Sequence, residues 1–346
     1  MSLRPSPSTL CRSAGCTLTG ALSVTTHVRD AITIIHGPAG CTHHNFSLLH
    51  ATSLDNDRIT LPPLVSTAIS ETDVVFGGEG ALDRTLDQVI ERDPAAIFVL
   101  STCITETIGD DVGRVCGSKA GVPVIVVPTA GFLGGSFQTG VNNALISLAG
   151  MAELAPQNGK VNIIGEMNLE YEVDENFAEV SRLLSLLGLS VNIRFVHDST
   201  VGQIASLGEA RLNVLRDPAL VPVGEYLRER FGTPYIPGFP LGISGPIAFL
   251  ESAANTCGID PRPAIDAEQA FRKEIFDDFA DIAGAGISFS PSLSDPEGSR
   301  VAQDMAEALR LAITPSGRPV PVPLTPPVGT AGVRRMLHRW RRAIHA

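Results

Sequence analysis

Four short runs, Ala31–His36, Val74–Gly77, Ala95–Ser101 and Val122–Pro128, are apolar almost throughout instead of alternating with polar residues. Strands of that kind need cover on both faces, which is the situation of a parallel sheet held between helices. The stretches between them supply the helices. In Gly80–Arg92, for example, Leu82, Leu86, Val89 and Ile90 fall on one face. Residues 1–157 therefore read as a doubly wound α/β domain.

A second α/β domain is expected over 158–258. "KVNIIGE", "LSVNIRFV" and "ARLNVL" are its strands, and Glu175–Leu187, Val223–Phe231 and Gly245–Ala254 its helices. "TPYIPGFPLG" continues the same pattern. The last unit, 259–346, is thinner. It has helices around Ala267–Ala280 and Ser299–Ala312, with one weak strand, "AGISFS". Pro315, Pro319, Pro321, Pro323, Pro326 and Pro327 then favour an extended connection. The terminal helix carries Val333, Met336, Leu337, Trp340 and Ile344 on one stripe, with Arg334, Arg335, Arg339, Arg341 and Arg342 off it. Those arginines read either as a docking surface for an acidic partner or as partners for the chain's own carboxylates.

With 26 Lys plus Arg against 37 Asp plus Glu, the net charge is -11, which argues against general nucleic-acid binding. No apolar segment reaches the roughly 18 residues of a membrane span. The N-terminal "MSLRPSPSTLCRSAGC" lacks the apolar centre of a signal peptide, so a cytoplasmic chain is expected. There its six cysteines are free, buried, metal-bound or catalytic in preference to paired.

Three of the six occupy similar places. Cys16 precedes a helix, Cys41 follows the strand ending at His36, and Cys103 follows "AAIFVLS". Carboxyl ends of parallel strands are where open α/β sheets bind ligands. Helix N-termini favour anions and lower thiol pKa values, which suits metal clusters. The spacings match neither a zinc ribbon nor a ferredoxin, though three loops of one sheet edge can still converge on one point; from spacing alone, metal binding and small buried hydrophobes are both open readings of the set. Cys11, Cys116 and Cys257 read as small buried hydrophobes.

Other candidates surround these cysteines. His43 and His44 lie on the first turn after Cys41; adjacent helical residues do not share a face, so at most one points into a cleft. Each is equally readable as a capping or surface histidine. Glu106, after Cys103, is a candidate proton donor or an ordinary helix-dipole partner. "PTAGFLGGSFQTG" offers Gly134, Gly135 and Gln138, whose backbone amides and side chain suit a carboxylate-bearing substrate. No G-x-x-x-x-G-K-[ST] occurs, so the chain has no ATP site of that type.

"AGC" at Cys16, "HGPAGC" at Cys41, "STCITETIGDDV" at Cys103 and "GTPYIPGFPLGISGPIAFL" together resemble the component 1 family of nitrogenase-like oxidoreductases. The resemblance covers about residues 10–260, and "TPPVGTAGV" looks like the family's ending. It implies two Rossmann-like units plus a short third one. It also implies that Cys16, Cys41 and Cys103 bind an iron–sulfur cluster, of [4Fe–4S] type, near a subunit interface. On this reading the Gly-Pro-Gly turn before Cys41 leaves room for the bulky cluster. The implied partners are a second copy, an ATP-hydrolysing iron–sulfur reductase and a tetrapyrrole substrate. Within the family, the compact chain and the wording of the motifs point to reductive cyclisation of Ni-sirohydrochlorin a,c-diamide in making the nickel coenzyme of methanogenesis. The alternatives are a chlorophyllide-type or small-sulfur substrate, a non-catalytic metallocluster scaffold, and an α/β binding protein with no cluster.

Overall fold

Strands β1 (Ala31–His36), β2 (Leu64–Ser66), β3 (Ala96–Ser101) and β4 (Val124–Val127) form one parallel sheet in the order β2–β1–β3–β4. The structure is a computed structural model, and it describes residues 15–55, 61–131, 135–166, 172–289, 296–322 and 325–346. A second parallel sheet has the order β6–β5–β7–β8, from β5 (Val161–Ile164), β6 (Val191–Phe195), β7 (Leu212–Leu215) and β8 (Tyr235–Ile236). Every residue of β3, β5 and β7 is buried, the state that near-continuous apolar runs require. The doubly wound α/β class is thus present as expected.

One expected strand is not a strand. Val74–Phe76 closes a short helix, Glu71–Phe76, and the sheet takes Leu64–Ser66 in its place. The cause is local. Ser70 Oγ accepts the Asp73 N–H at 3.3 Å, and the Asp73 carboxylate accepts the Ser70 N–H at 2.7 Å. This reciprocal cap starts a helix just where apolar, β-branched residues suggest a strand.

By internal contacts, residues 15–166 with 191–237 form one unit, and 172–190 with 238–346 form another. The three-part division near 157 and 258 follows the sheets instead, and we keep it as a proposal. In the first unit the helix Thr17–Thr25 lies against Phe137–Ala149 at glycine contacts. A Cβ on Gly140 would sit 1.9 Å from the Thr17 carbonyl oxygen, and one on Gly20 1.9 Å from that of Phe137. Backbone faces backbone there, so no rotamer relieves the clash. Gly140→Ala is expected to cost roughly 1–3 kcal/mol or more in urea unfolding. At Gly117 a Cβ meets nothing within 4 Å. Gly117→Ala should therefore stay within about 0.5 kcal/mol of the parent.

The other unit has its own core around Phe279, Met305, Leu337 and Trp340. The Trp340 indole N–H donates to the Pro321 carbonyl at 2.8 Å. Its parallel sheet runs β10–β9–β11, from β9 (Gly286–Phe289), β10 (Ala312–Ile313) and β11 (Arg318–Val320). Two of these strands were not expected. Pro319 is tolerated because β11 is an edge strand. The terminal helix, Gly329–His345, buries Val333, Met336, Leu337 and Trp340. Arg335 and Arg339 pair with Glu172, and Arg341 with Asp281, so most of its cationic face is taken up by this unit's own carboxylates. Arg182 joins two buried carboxylates, Glu179 and Glu268. Among the described residues, no helix is long and apolar enough to cross a membrane.

Candidate metal-cluster site

In the first sheet the chain leaves β1 for β2 on one side and returns to the other side of β1 for β3. The connections leaving β1 and β3 therefore part, and a crevice opens between them at the carboxyl edge. His36 aligns with Ser101 across that pair. Cys41 and Cys103, remote in sequence, thus leave neighbouring strand ends. Cys41 is in the first turn of the helix Ala39–Asp55, and Cys103 is the first residue of Cys103–Ile108. Cys16 is the N-cap of Thr17–Thr25, its Sγ 3.5 Å from Thr19 Oγ1.

Cys16 and Cys103 are exposed and Cys41 is half-buried. The Cys41 thiol has a raised pKa, first through burial and then through the charge of Cys16 and Cys103. Cys16 and Cys103 thus both act on Cys41. Cys116 and Cys257 are buried, and burial pushes the Cys116 thiol up to about 11. Cys11 lies outside the described residues.

Among the described residues, no three His, Cys, Asp or Glu side chains are grouped to hold one metal ion. A cluster makes a different demand, since its thiolates bind separate irons and stand farther apart than the ligands of a single zinc. The surroundings fit such a group in part. Thr17 Oγ1, next to Cys16, and Thr42 Oγ1, next to Cys41, are buried without a hydrogen-bond partner. Hydroxyl donors suit inorganic sulfide. Asn45 Oδ1, also buried and unpartnered, is an acceptor and does not.

The two glycines before Cys41 stand in different surroundings. At Gly40 an added Cβ meets nothing within 4 Å, whereas at Gly37 it would fall 2.2 Å from Thr102 Cγ2. Gly37 makes room for Thr102, next to Cys103, so the two cysteine loops touch directly.

His43, His44 and Glu106 are exposed. Glu106 is three residues beyond Cys103 on one helix, which places both on one face. Gly135 approaches Cys16's neighbour: its Cβ would lie 2.4 Å from Thr17 Oγ1. Gln138 donates to Asn142 Oδ1 at 3.0 Å. Gly134 lies outside the described residues. Neither His36 nor Asp110 stands out in sequence as a site residue, yet together they form the buried floor of this edge. His36 Nε2 is 2.9 Å from Asp110 Oδ2.

A model of the family described as nitrogenase component 1 type oxidoreductase matches residues 16–286. The chain belongs to that family. The nitrogenase iron-molybdenum cofactor biosynthesis protein NifE of Clostridium pasteurianum is 32% identical over 229 residues, covering 64% of this chain and 49% of that protein. NifE of Nostoc sp. is 30% identical over 298 residues, covering 83% of this chain and 59% of that protein. The nitrogenase molybdenum-iron protein alpha chain of Clostridium pasteurianum is 27% identical, with coverage of 75% and 50%. This component 1 chain thus spans about half the length of the curated relatives it matches. In fold it is similar to the solved structure "Nitrogenase Cp1 at pH 5", with a TM-score of 0.67 at 22% identity, covering 90% of this chain and 65% of that one.

Proposed function

We propose that this chain is the catalytic component of a nitrogenase-like reductase system in which Cys16, Cys41 and Cys103 hold an iron–sulfur cluster of [4Fe–4S] type. The observation that carries the reading is geometric: β1 and β3 are neighbours at the switch point, so Cys41 and Cys103 leave adjacent strand ends. Such a cluster, when bound, supplies one-electron redox chemistry. The thiols of this chain provide its anionic ligands, while Thr17 and Thr42 bring hydroxyl donors beside them.

Electrons arrive, on this reading, from a separate ATP-hydrolysing iron–sulfur reductase. Val75 and Phe76 are 74% and 84% exposed and Ile104, beside Cys103, 40%. This apolar ridge supports docking of the reductase there, because an electron donor has to approach the thiols closely. Three thiols leave a four-ligand shell one short, which supports a homodimer with an isologous contact. Glu106 and His43, both exposed, are proposed proton donors, and His44, Gly134, Gly135 and Gln138 the substrate-facing set.

The finer proposal is that the substrate is a nickel tetrapyrrole, Ni-sirohydrochlorin a,c-diamide, reduced by several electrons and closed to a lactam in biosynthesis of the methanogenesis coenzyme. The wording of the cysteine motifs supports it. A second reading, a scaffold on which a metallocluster is assembled, is favoured by the similarity to proteins named for iron-molybdenum cofactor biosynthesis. Anaerobic incubation with the cognate reductase, ATP and a panel of tetrapyrroles separates the two. Reductase- and ATP-dependent change in the absorption of one tetrapyrrole is expected. Release of an intact cluster to an acceptor protein, with no tetrapyrrole consumed, would favour the scaffold.

A further inference from the structure

We infer that His36, clamped between Asp110 and Thr67, is a positioning residue that sets the separation of Cys41 and Cys103. Its purpose rests on the cluster reading above; its geometry does not.

His36 is the last residue of β1, and the His36 and Asp110 side chains are 0% and 2% exposed. Nε2 stands 2.9 Å from Asp110 Oδ2, and Nδ1 3.1 Å from Thr67 Oγ1. An ionised carboxylate only accepts, so Nε2 carries the proton and Nδ1 is left as an acceptor for the Thr67 hydroxyl. Thr67 Oγ1 in turn accepts the Gly37 N–H at 3.0 Å. The other carboxylate oxygen of Asp110 accepts the Gly78 N–H at 2.9 Å. Each donor in this chain then has its own acceptor. The His36 carbonyl adds two more links, accepting the Thr102 N–H at 3.0 Å and the Thr105 hydroxyl at 3.1 Å.

One residue thus ties together the ends of β1 and β2, the turn before the helix Glu79–Ile90, and both ends of the Cys103 helix. Space is reserved for it: a Cβ on Gly78 would lie 2.6 Å from Asp110 Oδ2 and 3.1 Å from His36 Cε1. Cys41 follows His36 through four residues, beginning with Gly37, which is pressed on Thr102. If His36 loosens, both thiol-bearing loops lose a shared anchor. A histidine that merely filled the core would affect stability without changing the distance between the thiols.

The test uses the metal-free full-length chain and dibromobimane, a short bifunctional thiol reagent, with Cys41–Cys103 cross-linking followed by peptide mass spectrometry. The parent protein is expected to cross-link these two thiols. The loss of one or more hydrogen bonds in the clamp should slow that step about threefold in Thr67→Val and about tenfold in His36→Ala. His36→Gln, whose amide N–H still reaches toward Asp110, should recover to within about threefold of the parent. Rates with a monofunctional alkylator should not change, which separates thiol spacing from thiol exposure. A parent rate in folded His36→Ala, or no cross-link in the parent, overturns the inference. If His36→Ala does not fold, Thr67→Val decides, because it removes one hydroxyl and keeps the side-chain shape; a parent rate there overturns it. A parent protein that shows the His36-dependent cross-link but never retains iron would sink the cluster reading and leave the positioning role standing.

Discussion

Cys41→Ala is expected to yield a folded protein that retains no iron or acid-labile sulfide after anaerobic reconstitution and has no reductase-dependent turnover. Cys41 is the half-buried member of the trio and the one whose thiol responds to both others. Its removal leaves two exposed cysteines, on different helices, to hold a cluster alone. Cys16→Ala and Cys103→Ala should lose iron in the same way. Because the substitution is small and partly solvent-facing, unfolding stability should change by only about 1 kcal/mol. Cys116→Ala is the control. Cys116 packs with Leu86, Val89 and Val115, so its loss should affect stability and leave iron content intact. Full iron in Cys41→Ala, measured per chain, would remove the ligand assignment.

Arg182→Met should be the most destabilising single change away from that site. The guanidinium donates to Glu179 at 2.7 and 2.9 Å and to Glu268 at 2.7 Å, and both carboxylates are 1% exposed in their side chains. It also stacks over the Phe271 ring at 4.6 Å. Without it, two buried anions face each other uncompensated, which costs about 3–5 kcal/mol. Adding Glu179→Gln and Glu268→Gln should recover more than half of that loss. The glutamine carbonyls can still accept from the Ala331 N–H and the Thr330 hydroxyl, which Glu179 and Glu268 now satisfy. Denaturant unfolding of the single and triple variants gives the comparison. A triple variant no more stable than Arg182→Met would show that packing, not charge, governs this site.

The buried strands could be read from the residues because parallel strands carry an unbroken apolar signal, as in Ala96–Ser101. Val74–Phe76 carried the same signal and misled, since the Ser70–Asp73 cap outweighs three apolar residues. β10 and β11 were out of reach: two or three residues, one of them a proline, show no period. The cysteines stand out as a set through their motifs, and their joint role as cluster ligands is a proposal. The His36–Asp110 contact was not, although both residues lie inside those motifs. Nothing in sequence spacing says that the end of β1 meets the turn beyond the Cys103 helix; that follows only from strand order. The Gly37 turn shows the same limit, because its true neighbour, Thr102, arrives from another strand.

The discontinuous unit has a consequence for synthesis. The helix Val173–Leu186 carries Glu179 and Arg182, but its partner helix, Gly329–His345, leaves the ribosome roughly 140 residues later. At about 5–20 residues per second, the delay is about 7–28 s. Throughout it, Val180, Leu183 and Leu184 have no finished core to enter, while the unit that flanks this segment on both sides is already gathering its strands. The nascent chain therefore carries an apolar helix in waiting, the kind of surface that trigger-type chaperones hold. Its yield should depend on their supply more than its final stability would suggest.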